Sequence, residues 1–143
     1  MKLEINWKQK TLENLEKSIW DEPKFSSNLV IKCYKLRKKL LKNFEAQDLR
    51  IMIGQNFSLK YLIPLAIEEL NKDILIESDL FEGDLLSMVL TSEVDYWKNN
   101  KTNWKVICDL FEENITKIND FCYEDNLRNE LEEKFEEFKS INI

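Results

Sequence analysis

The stretch SLKYLIPLAIEEL, residues 58–70, places a helix in the middle of the chain. Its apolar residues recur every three or four positions, as on one face of a helix, and are Leu59, Leu62, Ile63, Ala66, Ile67 and Leu70. Ser58 is of a type that commonly caps helix N-termini, so we expect the helix to begin just after it. Pro64 lacks a backbone N–H, which predicts either a kink at this residue or a later start of the helix.

Apolar residues at helical spacing also precede this stretch and predict three more helices. The first follows Leu12, Leu15 and Ile19 and ends near residues 21–23. The second starts at the polar cluster of residues 26–28, a good N-cap, and follows Leu29, Cys33, Leu36, Leu40 and Phe44. A short helix covers residues 48–53, with Asp48 near its start and Gly54 as the left-handed residue that ends it.

The C-terminal half predicts helices separated by polar or irregular segments. Residues 72–84 lack helical spacing and are expected to be irregular or briefly extended, with a helix resuming over residues 84–90. After the polar break at residues 98–103, an amphipathic helix follows Trp104, Ile107, Cys108, Phe111, Ile115, Ile118 and Cys122. The last helix begins near Glu124 or Asp125, with glutamates outward and four apolar residues inward, namely Leu127, Leu131, Phe135 and Phe138.

The composition supports a helical fold. The chain has 143 residues, of which 43% are hydrophobic, and this suits one domain with a sizeable core. It contains two Gly and two Pro, too few for the many turns of a β architecture. We find no internal repeat and no linker. The sequence therefore predicts an all-α, single compact domain of about six or seven helices over residues 1–143.

The chain contains no histidine, which narrows the possible chemistry. Histidine-based nucleophile pairs, general bases and metal sites are excluded, so an enzyme would have to use carboxylates, Lys, Tyr or Cys. We therefore predict that the protein is not an enzyme, has no catalytic residue and binds neither a metal nor a cofactor. No signal peptide and no bilayer-spanning apolar run is apparent. The three cysteines form no CxxC motif and are expected to be buried, reduced thiols of a cytoplasmic protein: Cys33, Cys108 and Cys122.

Charge is distributed unevenly along the chain, whose net charge is −6. Residues 1–60 hold 13 Lys/Arg against 7 Asp/Glu, whereas residues 61–143 hold 8 against 20. The basic segment of residues 24–42 could meet a phosphate backbone, so a helical nucleic-acid-binding regulator is the alternative function. An ordinary solvated helix has the same pattern, and the acidic remainder would repel nucleic acid. The basic residues are Lys24, Lys32, Lys35, Arg37, Lys38, Lys39 and Lys42.

The stretch SDLFEGDLL, residues 78–86, concentrates acids around one of the two glycines. Its spacing does not match a calcium-binding EF-hand loop, and no neighbouring motif assigns acid and base roles to a pair of carboxylates. We expect Gly83 to form a turn, Asp84 to cap the helix that starts at Leu85, and Asp79 to brace the same turn.

Two other acidic groups need an interpretation. Between residues 61 and 97, nine acids accompany a single base, Lys72. Such a concentration would speed the docking of a basic protein, although a merely soluble face would have the same composition. Two glutamate pairs of the last helix have the spacing of carboxylate metal ligands but no Glu-x-x-His partner. We interpret these pairs as solvated: Glu132/Glu136 and Glu133/Glu137.

Three motifs occur in order in the middle of the chain, LRIMIGQ (49–55), YLIPLA (61–66) and FEGDLL (81–86), followed by Trp97. Together they resemble the immunity proteins of bacterial contact-dependent growth inhibition systems. The resemblance implies a small cytoplasmic protein that binds the toxic C-terminal domain of a cognate delivered toxin and blocks it. Such toxins are often nucleases with basic surfaces. The implied partner is therefore a basic protein rather than nucleic acid or a membrane, and we expect a monomer when free.

The resemblance also bears on the roles of individual residues. The motif residues look mostly like scaffold, so partner-specific contacts should lie on exposed residues that differ between members. We expect these contacts to combine exposed acids with an aromatic anchor, which would come from among Phe57, Phe81 and Tyr96. The predicted partner-binding residues are Glu68, Glu69, Asp73, Glu77, Asp79, Phe81, Glu82 and Tyr96.

Overall fold

The computed structural model describes residues 3–24, 27–121 and 125–142. Within these ranges it contains nine α-helices and two 3₁₀ helices, at Trp7–Gln9 and Leu41–Asn43. The α-helices are α1 (Leu12–Glu16), α2 (Asn28–Leu36), α3 (Ala46–Gly54), α4 (Leu59–Lys72), α5 (Asp84–Leu90), α6 (Val94–Lys98), α7 (Lys101–Glu113), α8 (Ile115–Phe121) and α9 (Asp125–Ser140). The all-α prediction is confirmed, although the helices outnumber the six or seven predicted. None of these helices is long and apolar enough to cross a bilayer.

Apolar spacing does not predict two of these helices, α6 and α8. The five-residue α6 was not predicted, because it is too short to show a period. The helix predicted over residues 104–122 is divided at Asn114, whose Nδ2 donates to the Leu110 carbonyl at 2.8 Å. Asn side chains compete in this way for backbone hydrogen bonds and favour helix ends.

Helices α3, α4 and α5 pack against one another, α7 packs on α4, and α9 covers α5 and α7. Helix α4 is continuous from Leu59 through Pro64 to Lys72, so the later start considered for it is wrong. A proline inside a helix costs about 3 kcal/mol. The seven buried side chains of α4 outweigh that cost, because a large apolar side chain contributes about 1.5–3 kcal/mol on burial. The buried apolar residues form one cluster that extends from α1 to α9.

The boundaries of α1 and α2 differ from the apolar stripes that predicted them. Helix α1 ends at Glu16 because Lys17 adopts the left-handed conformation, with φ of 52°. Ile19 consequently lies outside the helix and is 76% exposed. Helix α2 is capped as predicted, since Ser27 Oγ accepts a hydrogen bond from the Val30 N–H at 3.3 Å. It ends at Leu36, so the C-terminal part of its predicted stripe lies beyond the helix.

Gly54 does not end α3 in the predicted left-handed conformation. It is the last helical residue, and the left-handed residue is Asn56, with φ of 59°. Asn tolerates this conformation, and Asn56 Oδ1 accepts a hydrogen bond from the Glu93 N–H at 2.8 Å. At position 54, a Cβ would lie 3.2 Å from Met88 Sδ. The glycine therefore allows α3 to approach α5 closely.

Arg37 attaches the N-terminal segment to the core and is itself only 3% exposed. Its guanidinium pairs with Glu16, donates to the Ser18 carbonyl at 2.7 Å and lies 4.6 Å from the ring centroid of Trp20. Ser58 Oγ donates to the same Glu16 carboxylate at 3.0 Å. Ser58 thus precedes α4 as predicted, but its hydroxyl does not cap the helix because it bonds to Glu16 instead.

Cys33 and Cys108 are buried free thiols, as predicted, whereas Cys122 lies outside the described residues. Burial raises the pKa of the Cys33 thiol. Burial, together with the Glu112 carboxylate, raises the pKa of Cys108 to about 11. Both thiols are therefore protonated at neutral pH and weakly nucleophilic.

Replacing Arg37 by Met should lower the free energy of unfolding by about 2–4 kcal/mol, because Met keeps much of the packing but removes the donor to the Ser18 carbonyl and the cation that pairs with Glu16. Urea unfolding followed by circular dichroism measures this loss. Lys32→Met, on an exposed position of α2, is the matched control and should change stability by less than about 0.5 kcal/mol. Equal effects of the two substitutions would contradict the role assigned to Arg37.

Candidate partner-binding surface

The chain after α4 forms a closed loop, here called the acidic loop (residues 77–82). Glu77 and Glu82 pair across it in an isolated antiparallel bridge. The N–H of Gly83 closes the loop by bonding to the carbonyls of Leu75 at 3.1 Å and Ile76 at 3.3 Å. Gly83 has a φ of 86°, and a Cβ there would lie 3.4 Å from Leu75. The predicted turn at Gly83 is confirmed, and its backbone conformation favours glycine.

Asp84 holds the acidic loop from its buried side. It is fully buried, and its carboxylate accepts hydrogen bonds from the N–H groups of Ser78 at 2.8 Å, Asp79 at 3.0 Å and Leu80 at 2.9 Å. The prediction that this carboxylate caps α5 is wrong, because Gly83 occupies the N-cap and Asp84 is the first helical residue. Helical side chains point towards the N-terminus, so the carboxylate meets the preceding loop and not its own helix.

Asp84 remains ionised although it is buried. Burial alone would raise the pKa of this carboxyl, but the N–H groups of Leu80, Ser78 and Asp79 outweigh burial and hold the pKa below its ordinary value of 3.8. Arg50 on α3 lies close by, with Nε 3.9 Å from Asp84 and Nη2 3.2 Å from Asp79. Asp79 therefore braces the loop, as predicted, through an ion pair that ties it to α3.

The acidic loop presents an exposed apolar side chain among acids. Leu80 is 62% exposed, while Phe81 is half-buried. Glu77 and Glu82 are exposed and form no ion pair within the described part of the chain. Sequence reasoning missed Leu80, because an irregular segment has no period that tells which side chains face outward. The available signal was its place in a short segment that is rich in acids, between Asp79 and Glu82.

The predicted site residues on α4 and at its C-cap are paired within the chain. They contact three different regions, in the pairs Glu68–Lys8, Glu69–Lys72 at 3.6 Å and Asp73–Lys117 at 2.8 Å. The hydrogen bond from Lys117, opposed by burial, lowers the pKa of Asp73. Such solvent-accessible pairs contribute at most about 1 kcal/mol each, so a partner could displace them. In the free protein, these ion pairs reduce the negative charge of this surface.

The predicted aromatic anchors mainly contact other residues of the same chain. Tyr96 is half-buried, and its hydroxyl accepts a hydrogen bond from Asn103 Nδ2 at 2.9 Å. Burial raises the pKa of Tyr96. Phe57 packs edge-on against Trp20, with ring centroids 5.1 Å apart. Leu80 is therefore more exposed than either aromatic residue.

The described residues were also compared with what a nucleic-acid site and a metal site would require. In the basic segment, Arg37 is buried, and two lysines are neutralised in the pairs Lys38–Glu13 at 3.0 Å and Lys39–Asp48 at 2.7 Å. These pairs interrupt the positive surface that nucleic-acid binding would require. Within the described ranges, no group of three or more Cys, Asp or Glu side chains is arranged to hold a metal ion.

Replacing Asp84 by Asn should lower the free energy of unfolding by about 2–4 kcal/mol, because an amide offers one oxygen to three loop N–H groups and places a donor against them. Urea unfolding measures the change. Asp21→Asn, at an exposed position without an ion pair among the described residues, should cost less than about 0.5 kcal/mol. A similar loss in both variants would exclude the role proposed for the Asp84 carboxylate.

The stability difference between wild type and Asp84→Asn should depend on pH. Folding lowers the pKa of Asp84, so its ionised form contributes stability above the ordinary value of 3.8 and loses it as the pH falls through the lower folded-state value. The two unfolding free energies should therefore differ most near neutral pH and converge below pH 3.8. A gap that persists unchanged into acid would show that ionisation of Asp84 does not matter.

Comparison with known proteins identifies the family. Residues 14–107, about two thirds of the chain, match a family described as CDI immunity proteins. The match includes the acidic loop and the helices that hold it, and it begins well before the LRIMIGQ motif. Searches of curated proteins and of solved structures each gave no significant match. The chain therefore belongs to the family of immunity proteins of contact-dependent growth inhibition (CDI) systems.

Proposed function

We propose that the chain binds the toxic C-terminal domain of a cognate CDI effector, and that this domain is a basic nuclease. Family membership supports toxin neutralisation as the class of function. The observation that favours a basic partner is the acidic loop, where Glu77 and Glu82 are exposed and free of ion pairs in the described part of the chain. Surfaces that contact phosphate are rich in Lys and Arg, so a nuclease surface is complementary to this loop.

The acidic loop is suited to fast capture followed by slow release. Three hydrogen bonds to Asp84 fix its backbone before binding, so little conformational entropy is lost in the complex. Glu77 and Glu82 would steer a basic partner during approach. Leu80, 62% exposed in the free protein, would lose its contact with water in the complex and slow dissociation.

The other predicted partner-binding residues are proposed to play lesser parts. Glu68, Glu69 and Asp73 would contribute charge at the edge of the interface once their lysine partners are displaced. The half-buried Phe81 and Tyr96 would support the loop and its surroundings. Their contribution to binding should accordingly be smaller than that of the loop acids.

We infer that the chain acts by binding alone, without catalysis, on a toxin delivered to the cytoplasm. Stoichiometric occlusion of a nuclease site is sufficient for protection. A single cluster of buried apolar residues favours one domain over residues 1–143. The net charge of −6 favours a monomeric free protein that binds neither nucleic acid nor a membrane.

The proposal is tested by co-expression with the C-terminal domain of the polypeptide encoded immediately upstream of this chain. Growth should be restored only when both are present, the two should co-purify at a 1:1 ratio, and nuclease activity of the purified domain should fall with added immunity protein. Continued toxicity, or nuclease activity unaffected by a molar excess of this chain, would overturn the proposed function.

Reversing two loop charges, in Glu77→Lys/Glu82→Lys, should slow association with that domain about tenfold at low ionic strength, with a smaller difference at high salt. Stopped-flow fluorescence measures the association rate constant. Asp21→Lys/Glu22→Lys makes the same change in net charge at exposed positions away from the loop and is the control. If both variants slow association equally, the net charge steers the toxin and the loop has no special role.

A further inference from the structure

We propose that a groove between α7, α8 and α9 is a second contact for the toxin and accepts a segment in which Lys or Arg flanks an aliphatic or aromatic side chain. This inference rests on the proposed function and adds the chemistry of the bound segment. The groove is lined by Phe111, Glu112 and Ile115 and by the α9 residues Asn129, Glu132, Glu133, Phe135, Glu136 and Glu137. We call it the α9 groove.

The floor of the α9 groove is apolar. Phe111 of α7 and Phe135 of α9 stack face to face, with ring centroids 3.9 Å apart and an interplanar angle of 8°. Ile115 at the start of α8 is 39% exposed beside them. The groove has a volume of about 670 Å³, which is enough for two or three side chains of a partner.

The rim of the groove is acidic and almost unneutralised. Five of its residues are glutamates, and the one with an ion pair among the described residues is Glu136, 3.8 Å from Lys139. The other four glutamates thus differ from the acids of α4, each of which has a lysine partner. The five are Glu112, Glu132, Glu133, Glu136 and Glu137.

The arrangement of the rim favours a cationic occupant. Residues four apart on a helix are neighbours, so the pairs Glu132/Glu136 and Glu133/Glu137 place like charges side by side, which is unfavourable. A bound cation would relieve this repulsion. These glutamates are at least partly exposed, in agreement with their interpretation as solvated, and the sequence pattern does not show the apolar floor beside them, which a tertiary contact creates.

The combination of floor and rim specifies the kind of segment bound. Lys and Arg can lay their methylene stems along an apolar surface while the charged head meets a carboxylate. An aliphatic or aromatic side chain at the centre would cover the exposed Ile115, which lies beside the buried pair of rings. A symmetric contact between the α9 grooves of two copies of this chain is disfavoured, because both grooves are acidic.

The α9 groove also lies outside residues 14–107, the part of the chain that matches the family. The matched part supplies the core helices and the acidic loop, which a shared scaffold would require. A contact that selects one particular toxin is expected outside such a scaffold. The groove residues, 111–137, meet that expectation.

Charge reversal at the rim tests the proposal without altering the floor. Glu133→Lys/Glu137→Lys changes two exposed residues and keeps a like-charge pair at the same spacing, so the melting temperature should stay within about 2 °C of wild type. The dissociation constant for the upstream-encoded toxin domain, measured by calorimetry, should rise at least about 30-fold. Ile115→Asp should weaken binding by a similar factor, because it places a charge on the apolar floor.

Glu113→Lys/Asp120→Lys is the matched control, since it reverses two exposed acids of α7 and α8 that do not line the groove. It should change the dissociation constant by less than about threefold. If wild type binds the toxin domain and the groove variants bind as tightly as this control, the groove inference is wrong and the proposed function stands. If wild type does not bind the domain at all, the proposed function fails and the groove inference fails with it.

Sedimentation of the free protein provides an independent check on the occupant. A monomer in both wild type and Glu133→Lys/Glu137→Lys is expected. A wild-type dimer that the groove substitutions dissociate would assign the groove to self-association and overturn the proposal.

Discussion

A buried negative charge that must accept hydrogen bonds is the constraint on which the candidate site depends. The Asp84 carboxylate has no solvent exposure, and an isolated charge in such a place would be prohibitively unstable. It remains ionised because the N–H groups of Ser78, Asp79 and Leu80 converge on it. The same three bonds order an irregular segment that has no helix or sheet of its own. The acidic loop is thus shaped from within, and its outward side chains are free for a partner.

Three packed helices each supply one part of this arrangement. The loop follows the end of α4, Gly83 and Asp84 start α5, and Arg50 on α3 reaches both Asp79 and Asp84. LRIMIGQ contributes Arg50 and FEGDLL contributes Gly83 and Asp84, while YLIPLA lies on α4, which packs against both α3 and α5. It also supports the interpretation of these motifs as scaffold, because Arg50, Gly83 and Asp84 belong to them and hold the loop from within.

The helices could be predicted from the sequence because burial of one face is a local pattern, as in α4. The direction of the Asp84 side chain could not be predicted, because the sequence does not distinguish an acid that precedes a helix from an acid in its first turn. Asn56 takes the left-handed conformation expected of Gly54, and Gly54 instead allows α3 to approach α5, which is a tertiary constraint. The α9 groove was missed for a similar reason, since the stacking of Phe111 on Phe135 joins two separate helices.

The two acidic surfaces divide the work of binding between them in this account: the acidic loop is preorganised for capture, and the α9 groove adds an apolar floor for selection. The central claim is that Asp84 orders the loop before any partner arrives. Amide hydrogen exchange of the free protein, followed by NMR, tests it most directly at Ser78, Asp79 and Leu80. The account predicts protection comparable to that of α5 amides, although the Leu80 side chain is 62% exposed. Exchange at the rate of an unstructured peptide at these three residues would contradict it.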